Sequence, residues 1–326
     1  MLELWRRDAN GMNRIAPRTA FLMSLPPLMW AGNAVVGRLM VGQVPPLTLN
    51  ALRWSLALLI LLPLGWRVLR APGEMAARWP HLLLLGTLGV GSYNALQYLA
   101  LVTSTPINVT LIAASMPVWM LAVGALFHGV QPTRAQIIGA VLSLAGVLLV
   151  IARGNPAALA RIQFVIGDLY VLAAIIGWAF YSWMLARPPA SMHGAGAPRV
   201  VGTGGQPRGW NWSETLLVQV LFGLIGAGAA AGAERALGDA VIHWSPTVVA
   251  ALVFVAIGPS VIAYRCWGLG VATAGPAAAA FFGNLTPLIA ALLSAAVLGE
   301  VPRWFHALAF ALIVGGIVVS SRPAKR

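Results

Sequence analysis

Charge is scarce in this chain of 326 residues: 9% of positions are Asp, Glu, Lys or Arg, where soluble domains carry roughly a quarter. Acid is scarcer still, since eight Asp and Glu stand against 21 Lys and Arg, for a formal net charge of +13 at pH 7. Beside 59% hydrophobic residues and a mean hydropathy of +0.83, so little charge excludes an ordinary water-soluble domain. The basic excess alone would suggest nucleic-acid binding, but too little polar surface remains to present it, and nucleic acid is not an expected partner. One cysteine, Cys266, permits no internal disulfide. The histidines and acids show no metal-ligand spacing, so neither a metal nor a cofactor is expected. Paired mid-span acids and Ser/His/Asp groupings are missing too, which argues against an enzyme.

What the chain has instead is long apolar runs. A bilayer core of about 30 Å needs about 20 apolar residues per helix, because a helix satisfies its own backbone groups where water cannot. Ten stretches meet that need, at 20–41, 46–66, 81–102, 105–127, 134–152, 167–186, 214–233, 247–271, 274–298 and 304–321. The first follows four arginines and superficially looks like a signal peptide, but it is too long for a secretory apolar core, so a retained helix is expected. Most connections are short. The exception, 187–213, is rich in Gly and Pro and reads as a flexible linker.

The basic residues then sort by loop. With the N-terminus inside, fourteen of the 21 fall in cytoplasmic segments and only Arg153, Arg161, Arg235 and Arg303 on the opposite side, as expected where Lys and Arg are retained in the cytoplasm. An even number of spans places both basic termini inside. The expectation is a multi-pass protein of the inner (plasma) membrane with ten spans and both termini cytoplasmic, present as a monomer or homodimer.

Sliding the chain against itself by 170 residues aligns 96–150 with 266–320 without a gap. Thr103 meets Thr273, Pro106 meets Pro276, Pro117 meets Pro287, Gly129 meets Gly299, Pro132 meets Pro302 and Gly146 meets Gly316. Pro and Gly fix backbone shape, so agreement there weighs more than matched leucines. Trp30-Ala31 is likewise answered by Trp178-Ala179. Five spans per copy is an odd number, so the second copy enters from the opposite side and gives two five-helix inverted repeats. The expected fold is an all-α integral membrane protein. Its parts are a cytoplasmic segment 1–19, a first repeat 20–152, a connection 153–166, a second repeat 167–321 that includes the linker, and a cytoplasmic tail 322–326.

The five-plus-five arrangement, the Pro46 to Arg53 segment, the Pro117 and Pro287 breaks and the Leu298-Gly299-Glu300 turn together resemble the drug/metabolite transporter superfamily, specifically its EamA-type members. The chain departs from that pattern at His128-Gly129-Val130, where the first repeat lacks the acid of a Gly-Glu turn. The resemblance implies export of small metabolites, often amino acids, through a cavity formed mainly by spans 1, 3, 4, 6, 8 and 9.

Polar side chains at membrane depth mark the expected path. Span three carries Tyr93, Asn94, Gln97 and Tyr98, two i,i+4 pairs on neighbouring faces that offer hydrogen bonds and aromatic surface to a small-molecule substrate. The other candidate binding residues are Trp30 and Asn33, Asn108 and Ser115, Trp178 and Tyr181, Tyr264, and Asn284. Each of these also suits interhelical packing. Pro117 and Pro287 free a backbone carbonyl in mid-helix and are candidate hinges, or static kinks. The small-residue stripes Ala135/Gly139/Ser143 and Ala307/Ala311/Gly315 suit close helix packing or a dimer face. Arg38, Arg53 and Arg265 lie within spans: Arg38, near an outer end, is expected to snorkel, whereas Arg53 and Arg265 sit about seven residues inside, where either could meet a substrate carboxylate, backbone carbonyls or lipid phosphate, the last two favoured for Arg265.

All eight acids fall in loops or at span ends. Without a carboxylate at mid-membrane, proton-coupled antiport is disfavoured and facilitated diffusion by alternating access is expected. The expected function is export of small organic metabolites, amino acids with large apolar or aromatic side chains foremost. The alternative is efflux of lipophilic cations, against which the missing counter-charge weighs.

Overall fold

The computed structural model describes residues 5–7, 13–15, 17–104, 106–202, 205–238, 241–298 and 303–321. The Gly299-Glu300 turn and the 322–326 tail lie outside these residues. Helices dominate. They are α1 (Pro17–Leu39), α2 (Pro46–Gly65), the short α3 (Pro72–Ala76), α4 (Trp79–Gly86), α5 (Tyr93–Thr103), α6 (Pro106–Ala113), α7 (Met116–His128) and α8 (Arg134–Ile151). After the connection come α9 (Ile166–Ala186), α10 (Trp212–Leu237), α11 (Pro246–Val255), α12 (Ala263–Ala274), α13 (Pro276–Gly283), α14 (Leu285–Leu298) and α15 (Trp304–Ser320). Proline in the first turn starts many of these, where its missing N–H leaves no intrahelical bond unmade. Thr133 and Gln136 exchange side-chain bonds with each other's backbone N–H to open α8.

Seven helical units among the described residues are long and apolar enough to cross a membrane: Pro17–Leu39, Pro46–Arg70, Asn108–His128, Arg134–Ile151, Ile166–Ala186, Trp212–Leu237 and Pro246–Ala274. Their outward faces are apolar, with Phe21 66% and Leu126 78% exposed, the reverse of a water-soluble surface.

The helix irregularities repeat at the sequence offset of 170. A π-helical segment, Thr87–Ser92, joins α4 to α5, and a second, Ala256–Ile262, joins α11 to α12. Two turn residues, Ala114 and Ser115, interrupt the helix ahead of Pro117, and Asn284 interrupts it ahead of Pro287. A proline removes the N–H that would bond four residues back, so each break falls where that bond is missing. The packing pairs respect the same correspondence: α5 lies on α9 as α12 lies on α1, α7 lies on α9 as α14 lies on α1, and α2 lies on α10.

Helices α8 and α15 approach closely through glycines. A Cβ at Gly139 would stand 2.7 Å from the Gly316 carbonyl oxygen, and one at Gly146 would stand 2.8 Å from Ile313. The face used on α8 includes Gly139 and Ser143, as the sequence suggests, but on α15 the buried face is Ala309, Ile313, Gly316 and Ser320. Ala307 and Ala311 are exposed. Three- and four-residue spacing of small residues recurs on both sides of α15, so composition could not say which side meets α8.

The 187–213 segment, expected to be a flexible linker, is arranged against one end of the bundle in its described residues. It forms two short 3-10 turns and an antiparallel hairpin, Arg199–Val201 with Pro207–Gly209. Arg78 donates to the Ser191 carbonyl at 2.6 Å and the Gly196 carbonyl at 2.7 Å, Val200 is buried, and Arg208 grips Glu214 through two 2.7 Å bonds. Those bonds to Glu214 push the Arg208 guanidinium pKa above its ordinary value. Gly and Pro content describes an isolated chain; charge-assisted bonds to carbonyls, which the sequence does not display, tie this one down.

Overpacking the α8–α15 contact tests this arrangement. Gly139→Ala is expected to destabilise the protein by about 1–3 kcal/mol, read as a lower thermal midpoint in detergent, whereas Gly315→Ala, with nothing within 4 Å of its added carbon, is expected to leave the midpoint unchanged or raise it.

Candidate functional site

Where α1, α2, α5 and the second π segment meet, Arg53 is completely buried. Its Nε donates to Ser260 Oγ at 2.9 Å. Its Nη1 faces three acceptors: Asn94 Oδ1 at 2.7 Å, Tyr98 Oη at 2.8 Å and Asn33 Oδ1 at 3.1 Å. Tyr98 in turn donates to Asn33 Oδ1 at 2.8 Å, and Asn33 Nδ2 donates to Gln97 Oε1 at 3.2 Å. The i,i+4 spacing on α5 puts Asn94 and Tyr98 on the Arg53 side, while Tyr93 turns its ring toward Trp178.

An aromatic cluster adjoins this network, with Trp178 at its hub. Ring centroids lie 4.8 Å away for Tyr93, 4.8 Å for Tyr181, 5.3 Å for Tyr264, and 5.4 Å for both Trp30 and Trp267. Trp30 and Trp267 pack at 5.3 Å. Trp54 connects the two regions, its ring 4.9 Å from Tyr264 and 5.3 Å from the Arg53 guanidinium carbon. Such separations fall in the range where edge and offset stacking are favourable.

The π segments position both regions. A π turn widens the helix and leaves carbonyls free of their usual partners. In the first segment, Tyr264 donates to the Gly89 carbonyl and Asn50 donates to that of Gly91 at 3.1 Å. In the second, Ser260 donates to the Val255 carbonyl at 2.7 Å and presents its oxygen to Arg53. Gly89 leaves room for the Tyr181 ring, which an added Cβ would approach to 2.5 Å, and Tyr181 donates to Gln219 Oε1 at 2.9 Å.

Of the residues singled out from the sequence, Trp30, Asn33, Tyr93, Asn94, Gln97, Tyr98, Trp178, Tyr181 and Tyr264 are brought together. Three stand apart. Asn108 donates to Asp168 Oδ2 at 2.9 Å and to the Gln163 carbonyl at 2.8 Å, at the start of α9. Ser115 bonds the Ile112 carbonyl at 2.5 Å within the helix break, and Asn284 donates to Ser143 Oγ at 2.9 Å on α8. Pro117 and Pro287 flank the breaks. Arg38 bonds the Leu101 carbonyl at 3.0 Å, and Arg265 stacks 4.8 Å from the Trp212 ring. Nothing in the sequence alone gives Arg53 its central place or marks Trp54 and Ser260. The signal available was an arginine well inside an apolar span, with a Gly-Pro-Ser run elsewhere; only folding joins them.

Two cavities open near opposite ends of the bundle. One of about 300 Å³ lies between the end of α1, the start of α2 and α5, with Tyr98 and His243 in its wall. The other, about 210 Å³, lies between α4, the end of α9 and the 187–213 segment, bounded by His81 and Trp210. Donors, acceptors and aromatic faces grouped beside the Tyr98 cavity suit binding of a small amphipathic molecule.

A family model described as the EamA-like transporter family matches residues 17–152 and 200–322. The aromatic amino acid exporter YddG of Ancylobacter novellus is 27% identical over 306 residues, covering 92% of this chain and 95% of that protein. An uncharacterized transporter of Archaeoglobus fulgidus is 26% identical over 93% of this chain and 97% of its own length. A probable amino-acid metabolite efflux pump of Salmonella typhimurium is 25% identical over 93% of this chain and 94% of its own. A solved crystal structure superposes with a TM-score of 0.67 at 23% identity, covering 93% of this chain and 94% of that one, which is a likeness of fold.

Trp178 offers the test of the cluster. Trp178→Ala removes the hub of five ring contacts and is expected to cost about 3–5 kcal/mol, with a matching fall in thermal midpoint; Trp178→Phe, which keeps a ring, is expected to lose less than half of that.

Proposed function

The chain belongs to the EamA-like transporter family, and from that premise we propose that it exports small organic metabolites, amino acids with large apolar or aromatic side chains foremost, by alternating access around the Arg53 and Trp178 clusters. The observation that carries this reading is the junction itself: polar groups able to orient a head group adjoin six aromatic rings able to receive an apolar side chain, at a place where both halves of the chain meet. Two similar proteins named as exporters of amino acids or their metabolites point the same way.

The topology proposed is ten spans in two inverted repeats with both termini cytoplasmic, in the inner membrane. Support comes from the paired π segments and paired helix breaks, from packing partners that exchange between the halves, and from the loop positions of the arginines. In that orientation the Tyr98 cavity faces outward and the 187–213 segment faces the cytoplasm. A carrier that rocks about a central site changes shape where helices are already interrupted, as beside Pro117 and Pro287.

Transport is proposed to be facilitated diffusion. The described acids all serve helix ends: Asp168 accepts from the Val165 N–H at 2.9 Å, Glu234 takes the Leu47 and Thr48 N–H groups at 3.0 and 2.8 Å, and Glu214 and Glu74 pair with arginines. None of these stands at the central junction to carry a proton. A buried guanidinium there also weighs against efflux of lipophilic cations, because like charges in a dry site repel strongly.

Reconstituted protein is expected to show saturable counterflow of radiolabelled L-phenylalanine whose rate does not change with an imposed pH gradient. A rate that followed the gradient, with the substrate's own ionisation held constant, would overturn facilitated diffusion, and absence of saturable counterflow for every amino acid tried would overturn the exporter reading.

A further inference from the structure

The hydrogen bonding of Arg53 is lopsided. Nη1 carries two hydrogens and faces three acceptors within 3.1 Å, whereas Nη2 carries two hydrogens and has no partner, although it is buried. Nε is used by Ser260. Every one of these partners is neutral, and among the described residues no carboxylate pairs with Arg53. A charge wholly out of water is expensive unless something of opposite sign meets it.

Other buried groups nearby are unpartnered as well. Trp54 Nε1, whose ring lies 5.3 Å from the Arg53 guanidinium carbon, is also buried without an acceptor, and so is Trp178 Nε1 at the aromatic hub. These are three unfilled donors. Among the described side chains, the unfilled buried acceptor in this region is Asn50 Oδ1. A region with spare donors and spare positive charge wants a ligand that is acceptor-only and negative, and an ionised carboxylate is both. Arginine presents its N–H groups in a planar fork that matches carboxylate geometry, which an ammonium does not. A cavity of about 300 Å³ adjoins the network, because Tyr98, which accepts from Nη1, also lines it.

We propose that Arg53 is the receptor for a carboxylate of the transported molecule, which it takes on the bare Nη2, so that the carboxylate and not the amine is the obligatory feature of the cargo. This deepens the exporter reading and rests on it. Its consequence is that monocarboxylates lacking an amine belong to the substrate range, whereas amines lacking a carboxylate do not. Orientation follows from the neighbours: with its carboxylate at Arg53, an aromatic side chain has the Trp54, Tyr264 and Trp178 rings to lie against.

The first test uses the wild-type protein. Counterflow of L-phenylalanine by the wild-type protein is challenged with 3-phenylpropionate, which lacks the amine, and with phenylethylamine and L-phenylalaninamide, which lack the carboxylate. The expected result is that 3-phenylpropionate competes within about tenfold of L-phenylalanine while the other two are weaker by about tenfold or more, the size of one charge-assisted bond. Equal competition by the amine or amide while counterflow persists would overturn the carboxylate assignment and leave the exporter reading standing. Absence of counterflow for both L-phenylalanine and 3-phenylpropionate would overturn the two together. In folded Arg53→Gln protein the preference for 3-phenylpropionate over phenylethylamine is expected to vanish, and in Arg53→Lys to shrink; an undiminished preference in Arg53→Gln would also overturn the assignment.

Discussion

The centre of this molecule is organised by one buried guanidinium held by neutral groups. Arg53 reaches from α2 to Asn33 on α1, to Asn94 and Tyr98 on α5, and to Ser260 in the π segment beyond α11. An apolar surrounding would expel such a charge, so each of those elements has to bring an oxygen to the same place. That requirement explains why polar residues interrupt otherwise apolar helices at these positions, and it ties the first half of the chain to the second.

Local backbone irregularity makes the meeting possible. A regular α-helix engages its carbonyls with its own N–H groups, so a neighbouring side chain can only share them. The π segments release some of them, and Tyr264 and Asn50 use the first while Ser260 is aimed by the second. Aromatic residues then fill the space around Trp178 from α1, α5, α9 and α12, helices from both halves. Away from the centre, glycines let the α8 and α15 backbones approach closely enough for dispersion to hold them. The acids are left for the helix ends, where Asp168 and Glu234 satisfy N–H groups that no helix can satisfy for itself.

Much of this was legible in the sequence. Hydropathy located the apolar helices, and Pro and Gly located their starts and interruptions, since both act through the local backbone wherever they stand. The offset of 170 residues anticipated the matching breaks beside Pro117 and Pro287, but not the π segments, the first of which lies outside the aligned stretch. The polar and aromatic residues of α5 were readable as a group because helical spacing alone brings them together. The same scale of signal failed for Asn108, Ser115 and Asn284: a polar residue in an apolar span looks the same whether it faces a shared centre, caps a neighbouring helix or bonds across a packed pair.

Sequence by itself thus determined the helical character, the apolar exterior, the duplicated punctuation and the family, because each depends on residue type and short-range spacing. Tertiary structure alone decided that Arg53 rather than Arg38 or Arg265 is the central cation, that Trp178 is the hub of the rings, which face of α15 meets α8, and that the 187–213 segment packs on the bundle. All four turn on which helix lies beside which. Contacts between residues as distant as Arg53 and Ser260, or Trp30 and Trp267, exist only after two helices far apart in sequence have packed, and no local pattern encodes them.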